Sequence, residues 1–94
     1  MQYEWDEEKR LSNIRKHGID FVAAISIFDD HERIETVDDE IDYGEERIQT
    51  IGEAKPGILF VVYTMRQNDT VRRMISARKA TKREKALYFS MIGR

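Results

Sequence analysis

The apolar positions along the chain change period near residue 33. Before it they recur at helical spacing. Phe21, Ala24, Ile25 and Phe28 fall at i, i+3, i+4 and i+7, the stripe of a helix that faces a core. The spacing predicts a helix over 21–28, with Asp20 as the side chain that accepts from its first free amides. A sparser pattern precedes it. Leu11 and Ile14 mark a partly buried helix that starts after Asp6 and runs to about His17. Gly18 stands where a helix ends in a left-handed residue. Tyr3–Trp5 reads as a short edge strand.

From residue 33 the period is two. Arg33–Val37 and Arg47–Ile51 are candidate strands separated by an acidic loop that contains Gly44. Ile58–Met65 is strongly apolar and predicts a central strand; Val71–Arg78 predicts the next. The segments Ala54–Gly57 (AKPG) and Gln67–Thr70 (QNDT) are turns. Thr81 and Glu84 form a T-x-x-E capping box. It opens a last helix whose Ala86, Leu87, Phe89 and Met91 are expected to pack on the sheet. The fold class is α+β: two N-terminal helices, an antiparallel meander of about four strands and a C-terminal helix. Helices cover one face of the sheet and the other face is open. With 94 residues, one proline and no repeat or linker, the chain 1–94 reads as a single domain.

Composition narrows the chemistry. The chain has no cysteine, which excludes disulfides, thiolate metal sites and a cysteine nucleophile. The segment MQYEWDEEKR lacks the apolar core of a signal peptide. The longest apolar run, Ile58–Tyr63, is far short of a membrane span. These features predict a soluble, cytoplasmic protein with no membrane partner. The net charge of −2 conceals a polarised chain. Arg66–Arg94 carries nine Lys and Arg against two acids, whereas Asp29–Ala54 carries eleven acids against two Arg. Such a chain can present a basic face to a polyanion and an acidic face elsewhere, unless the two blocks mix in space.

No Gly-rich phosphate loop, Gly-x-Ser-x-Gly elbow or metal-ligating His pair occurs. The run Asp38, Asp39, Asp42 lacks the spacing of a calcium loop. Neither a metal site nor a cofactor is expected. What remains is a set of arginines on strands: Arg47, Arg66, Arg72 and Arg78. Residues i and i+2 share a strand face. Strict alternation places Arg72, Ser76 and Arg78 together on the open face, with Val71, Ile75 and Ala77 toward the core. Guanidinium groups suit phosphate because each is permanently charged and offers a planar fork of donors. They also suit the charge that develops on a phosphorane. The blander alternative is cross-strand pairing with Glu45, Glu46 or Glu53. Lys16-His17-Gly18 is the second feature. A cation is favoured at a helix C-terminus by the dipole alone, and His17 or Lys16 is also a candidate proton-transfer group or phosphate ligand. Trp5, Tyr43, Tyr63 and Tyr88 offer rings for base stacking. Tyr63 is expected in the core, which leaves Tyr43, beside Gly44, as the freer candidate.

The ordered segments resemble the BrnT family of toxins. They comprise Glu4-Trp5-Asp6 with Lys9 and Asn13, Arg15-Lys16-His17-Gly18, and Phe21, Ala24 and Phe28-Asp29-Asp30. They continue through Tyr43-Gly44-Glu45-Glu46-Arg47, Thr50-Ile51-Gly52, Val62-Tyr63-Thr64 and Ile75-Ser76-Ala77-Arg78-Lys79-Ala80-Thr81. The resemblance implies a RelE-like fold and metal-independent RNA cleavage. It implies neutralisation by a BrnA-like antitoxin, a ribbon-helix-helix DNA-binding protein, with operator DNA met only through that partner. It maps the catalytic set onto Lys16, His17, Arg47, Arg66 and Arg78. Arg72, Ser76, Lys79 and Tyr43 are the candidate RNA contacts. Two rivals stand beside the endoribonuclease: a catalytically silent, antitoxin-binding co-repressor, and a direct DNA-binding protein, for which no recognition helix stands out.

Overall fold

A computed structural model describes residues 1–38 and 45–92. Asp39, Asp42, Tyr43 and Gly44 of the acidic loop lie outside the described residues. The chain begins with β1 (Gln2–Glu4), α1 (Glu7–His17) and α2 (Phe21–Ala24), which passes directly into a 3₁₀ segment, Ile25–Asp29. Then follow β2 (Ile34–Asp38), β3 (Arg47–Ala54), β4 (Gly57–Arg66), β5 (Val71–Lys79) and α3 (Lys82–Ile92). Among the described residues no helix is long and apolar enough to cross a membrane.

The expected helix boundaries follow from their caps. The Asp6 carboxylate accepts from the Glu8 amide, and Gly18 closes α1 in the left-handed region at φ 71°. Asp20 caps α2 in the same manner. The single helix expected over 21–28 is corrected: only its first turn is α, and the rest tightens to 3₁₀. Three residues per turn bring Ile27, not Ile25, under Ala24. Phe21, Ala24 and Ile27 are accordingly fully buried.

The five strands form one sheet in the order β1-β5-β4-β3-β2. Strands β2 to β5 are the expected antiparallel meander. The expectation of a purely antiparallel sheet fails at its edge, because β1 pairs with β5 in parallel. Between β1 and β2 the chain crosses from one edge of the sheet to the other. The helical segments of that crossing cover one face, where Phe21, Ala24 and Ile27 meet Leu59, Val61, Tyr63, Met74 and Ala77. At Gly52 the 3₁₀ segment and the chain just after it come so close that a Cβ would lie 2.9 Å from Arg33 Cβ and 3.0 Å from Ile27 Cγ1.

Two departures from regularity shape the functional region. The first is a bulge in β5. Val62 pairs with Ser76, but Tyr63 pairs with Met74, so Ile75 is an extra residue without a partner on β4. A bulge of one residue reverses which side chains face the core beyond it. The second is the edge of β5 beyond the reach of β1. There the buried Asn13 of α1 acts as a short strand would. Its Nδ2 donates to the Ala77 carbonyl at 2.7 Å and to the Ile19 carbonyl at 2.8 Å, and its Oδ1 accepts from the Ala77 amide at 3.1 Å. These three bonds fix α1 along β5.

The last helix also differs from expectation. Its capping box forms as the sequence predicts: the Thr81 amide donates to Glu84, and the Glu84 amide donates to Thr81 Oγ1. However, Leu87, Phe89 and Met91 are exposed, and Tyr88 is the buried residue of α3. Its hydroxyl donates to Asp30 Oδ2, which also accepts from the Glu53 amide. Burial alone would raise the Asp30 pKa, but the Glu53 amide, the Tyr88 hydroxyl and the Glu32 amide together hold it below the usual range. Tyr88 is pushed up, by burial first and then by its carboxylate partner.

Candidate nucleic-acid interface

Strand register sorts the candidate residues by face. Residues directly opposite one another share a face. Ser76, Val62 and Gln49 form one cross-strand row of the face opposite the core. Arg78, Phe60 and Ile51 form the next row, and Arg73 and Thr64 lie in the row on the other side. Arg47 on β3 and Arg66 on β4 follow on the same face by alternation. Ser76 and Arg78 therefore share this face as strict alternation places them, Arg47 lies on it too, and Arg72 does not. The bulge at Ile75 turns Arg72 to the helix-covered face, where its guanidinium lies 4.0 Å over the Phe28 ring and donates to the Tyr3 hydroxyl. Arg73 takes the position that strict alternation gave to Arg72. Lys79 also falls on the covered face, opposite Leu59, and its Nζ donates to the Pro56 carbonyl at 3.0 Å.

The arginines of the open face have acidic neighbours. Arg78 is held by both oxygens of Glu84, at 2.8 and 2.9 Å, and lies 4.2 Å from the centre of the Phe60 ring. This bond lowers the Glu84 pKa and raises that of Arg78. Arg66 pairs with Glu45 at 3.2 Å, and Arg73 with Glu4 at 2.9 Å. Asp38 is the register partner of Arg47. The two charge blocks of the sequence thus mix in part, through Arg66–Glu45. Four positions along β4 separate Phe60, beside Arg78, from Thr64. At ~3.3 Å per residue this is roughly 13 Å, so the arginines form a track along the face and not one cluster.

Beside that track lies a groove of about 210 Å³, lined by Lys9, Ser12, Asn13, Lys16, His17, Ile75 and Ser76. Lys9, Ser12 and Lys16 recur at i, i+3 and i+7, so α1 turns them to one side. Lys16 and His17 are exposed in its last turn. Ser76 lines this groove and also lies in the row next to Arg78. It is the residue that joins groove and track. Lys9 and Ser12 carry a periodicity that the sequence displays, although nothing marks them without knowledge of what α1 packs against. Arg73 was hidden by the unforeseen bulge. Tyr63 is in the core as expected, with its hydroxyl on Glu35 at 2.8 Å. Tyr88 is buried and bonded, and Tyr43 lies outside the described residues.

The acidic block gathers elsewhere. Asp29, Asp30, Glu32 and Glu53 border an open depression of about 590 Å³ together with His31 and Lys55. Among the described residues no group of three or more His, Asp or Glu side chains is placed to hold a metal ion.

A cationic track on a sheet, with a Lys-His groove at its side, has the residue types that RNA backbones meet. The family model of the ribonuclease toxin BrnT of type II toxin–antitoxin systems matches residues 5–84. The chain belongs to the BrnT family. The match begins at Trp5 and ends at Glu84, so it includes α1, strands β2 to β5 and the Arg78–Glu84 pair. No curated protein matches the chain. As a member of the BrnT family it is a ribonuclease toxin by kinship, and that kinship implies an antitoxin partner.

Proposed function

We propose that this BrnT-family protein is an endoribonuclease that binds RNA along the open face of a RelE-like fold and cleaves it beside the α1 groove. The observation that carries the reading is Ser76, which borders both the arginine track and the groove of Lys16 and His17. The substrate's 2′-hydroxyl attacks the adjacent phosphorus, the bond to the 5′-oxygen breaks, and a 2′,3′-cyclic phosphate and a 5′-hydroxyl result. Arg78, Arg47 and Arg66 bind the phosphate and stabilise its developing charge, a role that donors already in place perform best. Lys16 or His17 moves a proton to or from the reacting oxygens. Every group this chemistry requires is a side chain of the chain or a hydroxyl of the substrate, so the reaction proceeds without a metal. Arg73 and Ser76 hold neighbouring phosphates. Lys79 and Arg72 are RNA contacts only if the strand wraps beyond this face. A BrnA-like antitoxin neutralises the activity and represses the operon with the toxin bound.

The experiment is cleavage of RNA in EDTA by the wild type, Arg78→Ala and Lys16→Ala, with analysis of the product ends. Cyclic phosphate ends and loss of activity in both variants are expected. Loss of activity on chelation, full activity without Arg78, or cleavage at a 2′-deoxy position refutes the mechanism. A second reading, a silent co-repressor, is favoured by the ion pairs that engage Arg78, Arg66 and Arg73. Growth arrest on expression without the antitoxin separates the two, since a silent module is harmless.

A further inference from the structure

Helix α3 carries its apolar residues on the outside. Leu87 is 49 % exposed, Phe89 52 % and Met91 64 %. Helical spacing sets Leu87 and Met91 on one flank of the buried Tyr88 and Phe89 and Ile92 on the other, with the exposed Ala86 between them on the outer side. A helix that only completes its own domain turns such residues inward. Large apolar side chains left exposed along both flanks of one helix instead mark a place where a partner sits. The first turns of the same helix are basic. Lys82, Arg83 and Lys85 are exposed, and none forms an ion pair among the described residues. The helix's one acid, Glu84, is engaged by Arg78.

We propose that α3 is the docking helix for the antitoxin, a proposal that rests on the toxin–antitoxin reading above. The occupant is a segment of that partner with acidic residues that meet Lys82, Arg83 and Lys85 and apolar residues that cover Leu87 and Phe89. Charge decides against a second copy of this chain. Paired in parallel, two α3 helices would set their lysines and arginines against each other. Paired antiparallel, each would press its basic turns onto the other's apolar ones. A segment seated on α3 lies next to Glu84 and hence beside Arg78, so it also obstructs RNA at that end of the track.

The full chain is titrated by calorimetry with its BrnA-like antitoxin, produced separately. The double variant Leu87→Asp, Phe89→Asp is expected to weaken binding at least about 30-fold, as loss of a buried apolar anchor does. The triple variant Lys82→Glu, Arg83→Glu, Lys85→Glu is expected to weaken it at low salt and to flatten its salt dependence. Val22→Asp, at an exposed apolar position on α2, leaves affinity unchanged. Circular dichroism establishes that each variant is folded. Wild-type affinity in both α3 variants overturns the docking site and leaves the toxin reading standing. A wild-type chain that does not bind the antitoxin overturns both. A concentration-dependent dimer in ultracentrifugation that Leu87→Asp abolishes assigns the helix to a second copy and overturns the proposal.

Discussion

Replacement of Asn13 by alanine tests whether α1, and with it the Lys16–His17 groove, is held by a side chain that completes a sheet edge. Asn13 is 6 % exposed and makes three hydrogen bonds, two of them to the backbone of Ala77. Alanine removes all three and leaves the Ala77 amide buried without an acceptor. A net bond contributes roughly 0.5–1.5 kcal/mol, and an orphaned buried group costs about 1–3 kcal/mol. The expected loss is about 3–5 kcal/mol. At roughly 0.05–0.15 kcal/mol per residue, a domain of 94 residues has only about 5–14 kcal/mol in total. The melting temperature should fall by at least about 12 °C, at about 4 °C or more per kcal/mol for this size. Thermal melts followed by circular dichroism, with hydrogen exchange at the Ala77 amide, measure it. Asn13→Asp sharpens the test. A carboxylate keeps the acceptor for Ala77 but faces two carbonyl oxygens, so its folded pKa is raised above the unfolded value of about 3.9. Its stability deficit must therefore shrink as pH falls through that raised value and grow again as pH rises. A melting temperature within about 3 °C of wild type for Asn13→Ala, with Ala77 still protected, would refute the account.

The acid limb of stability should be set by Asp30 and Glu84, whose folded pKa values are both depressed. Their contribution is complete above the unfolded values of about 4 and is lost as pH falls through the lower folded ones. Melting temperature should hold from neutral pH down to about 4.5 and then decline, and Asp30→Asn should flatten part of that decline; an unchanged slope in the variant counts against the Tyr88–Asp30 tether. Gly52→Ala should lower the unfolding free energy by about 1–3 kcal/mol, read as a lower urea midpoint at unchanged m-value, because the added methyl meets Arg33 and Ile27 at 3.0 Å or less. For RNA binding by the catalytically impaired Lys16→Ala chain, removal of Arg78 should reduce the slope of log K against log salt by about 0.7. Removal of Lys79, on the opposite face, should leave that slope unchanged; equal effects would show that RNA reads both faces.

Much of the fold was legible in the sequence because its signals are local. Asp6, Gly18, Asp20 and the Thr81–Glu84 box terminate helices through bonds within a few residues, and they appear where the sequence places them. Apolar periodicity located four strands of the meander, and the spread of charge pointed to a polyanion. The turn after Arg66 uses three residues at positive φ, Gln67, Asn68 and Asp69, as its composition suggests.

What required the tertiary structure was each feature that depends on a distant partner. The parallel pairing of β1 depends on β5, nearly seventy residues away. The bulge at Ile75 follows from register against β4, and it alone decides that Arg73 and not Arg72 stands with Ser76 and Arg78. The outward face of α3 follows from Tyr88, whose amphipathic side chain reaches Asp30 while the more apolar Leu87 and Phe89 stay outside. Hydrophobicity ranks residues by how well burial suits them, but a buried hydroxyl with a carboxylate partner satisfies both the apolar and the polar requirement at once. The sequence by itself determined the residue types from which a phosphate-binding surface is made. The register of β5 and the docking of α1 through Asn13 determined which of them meet.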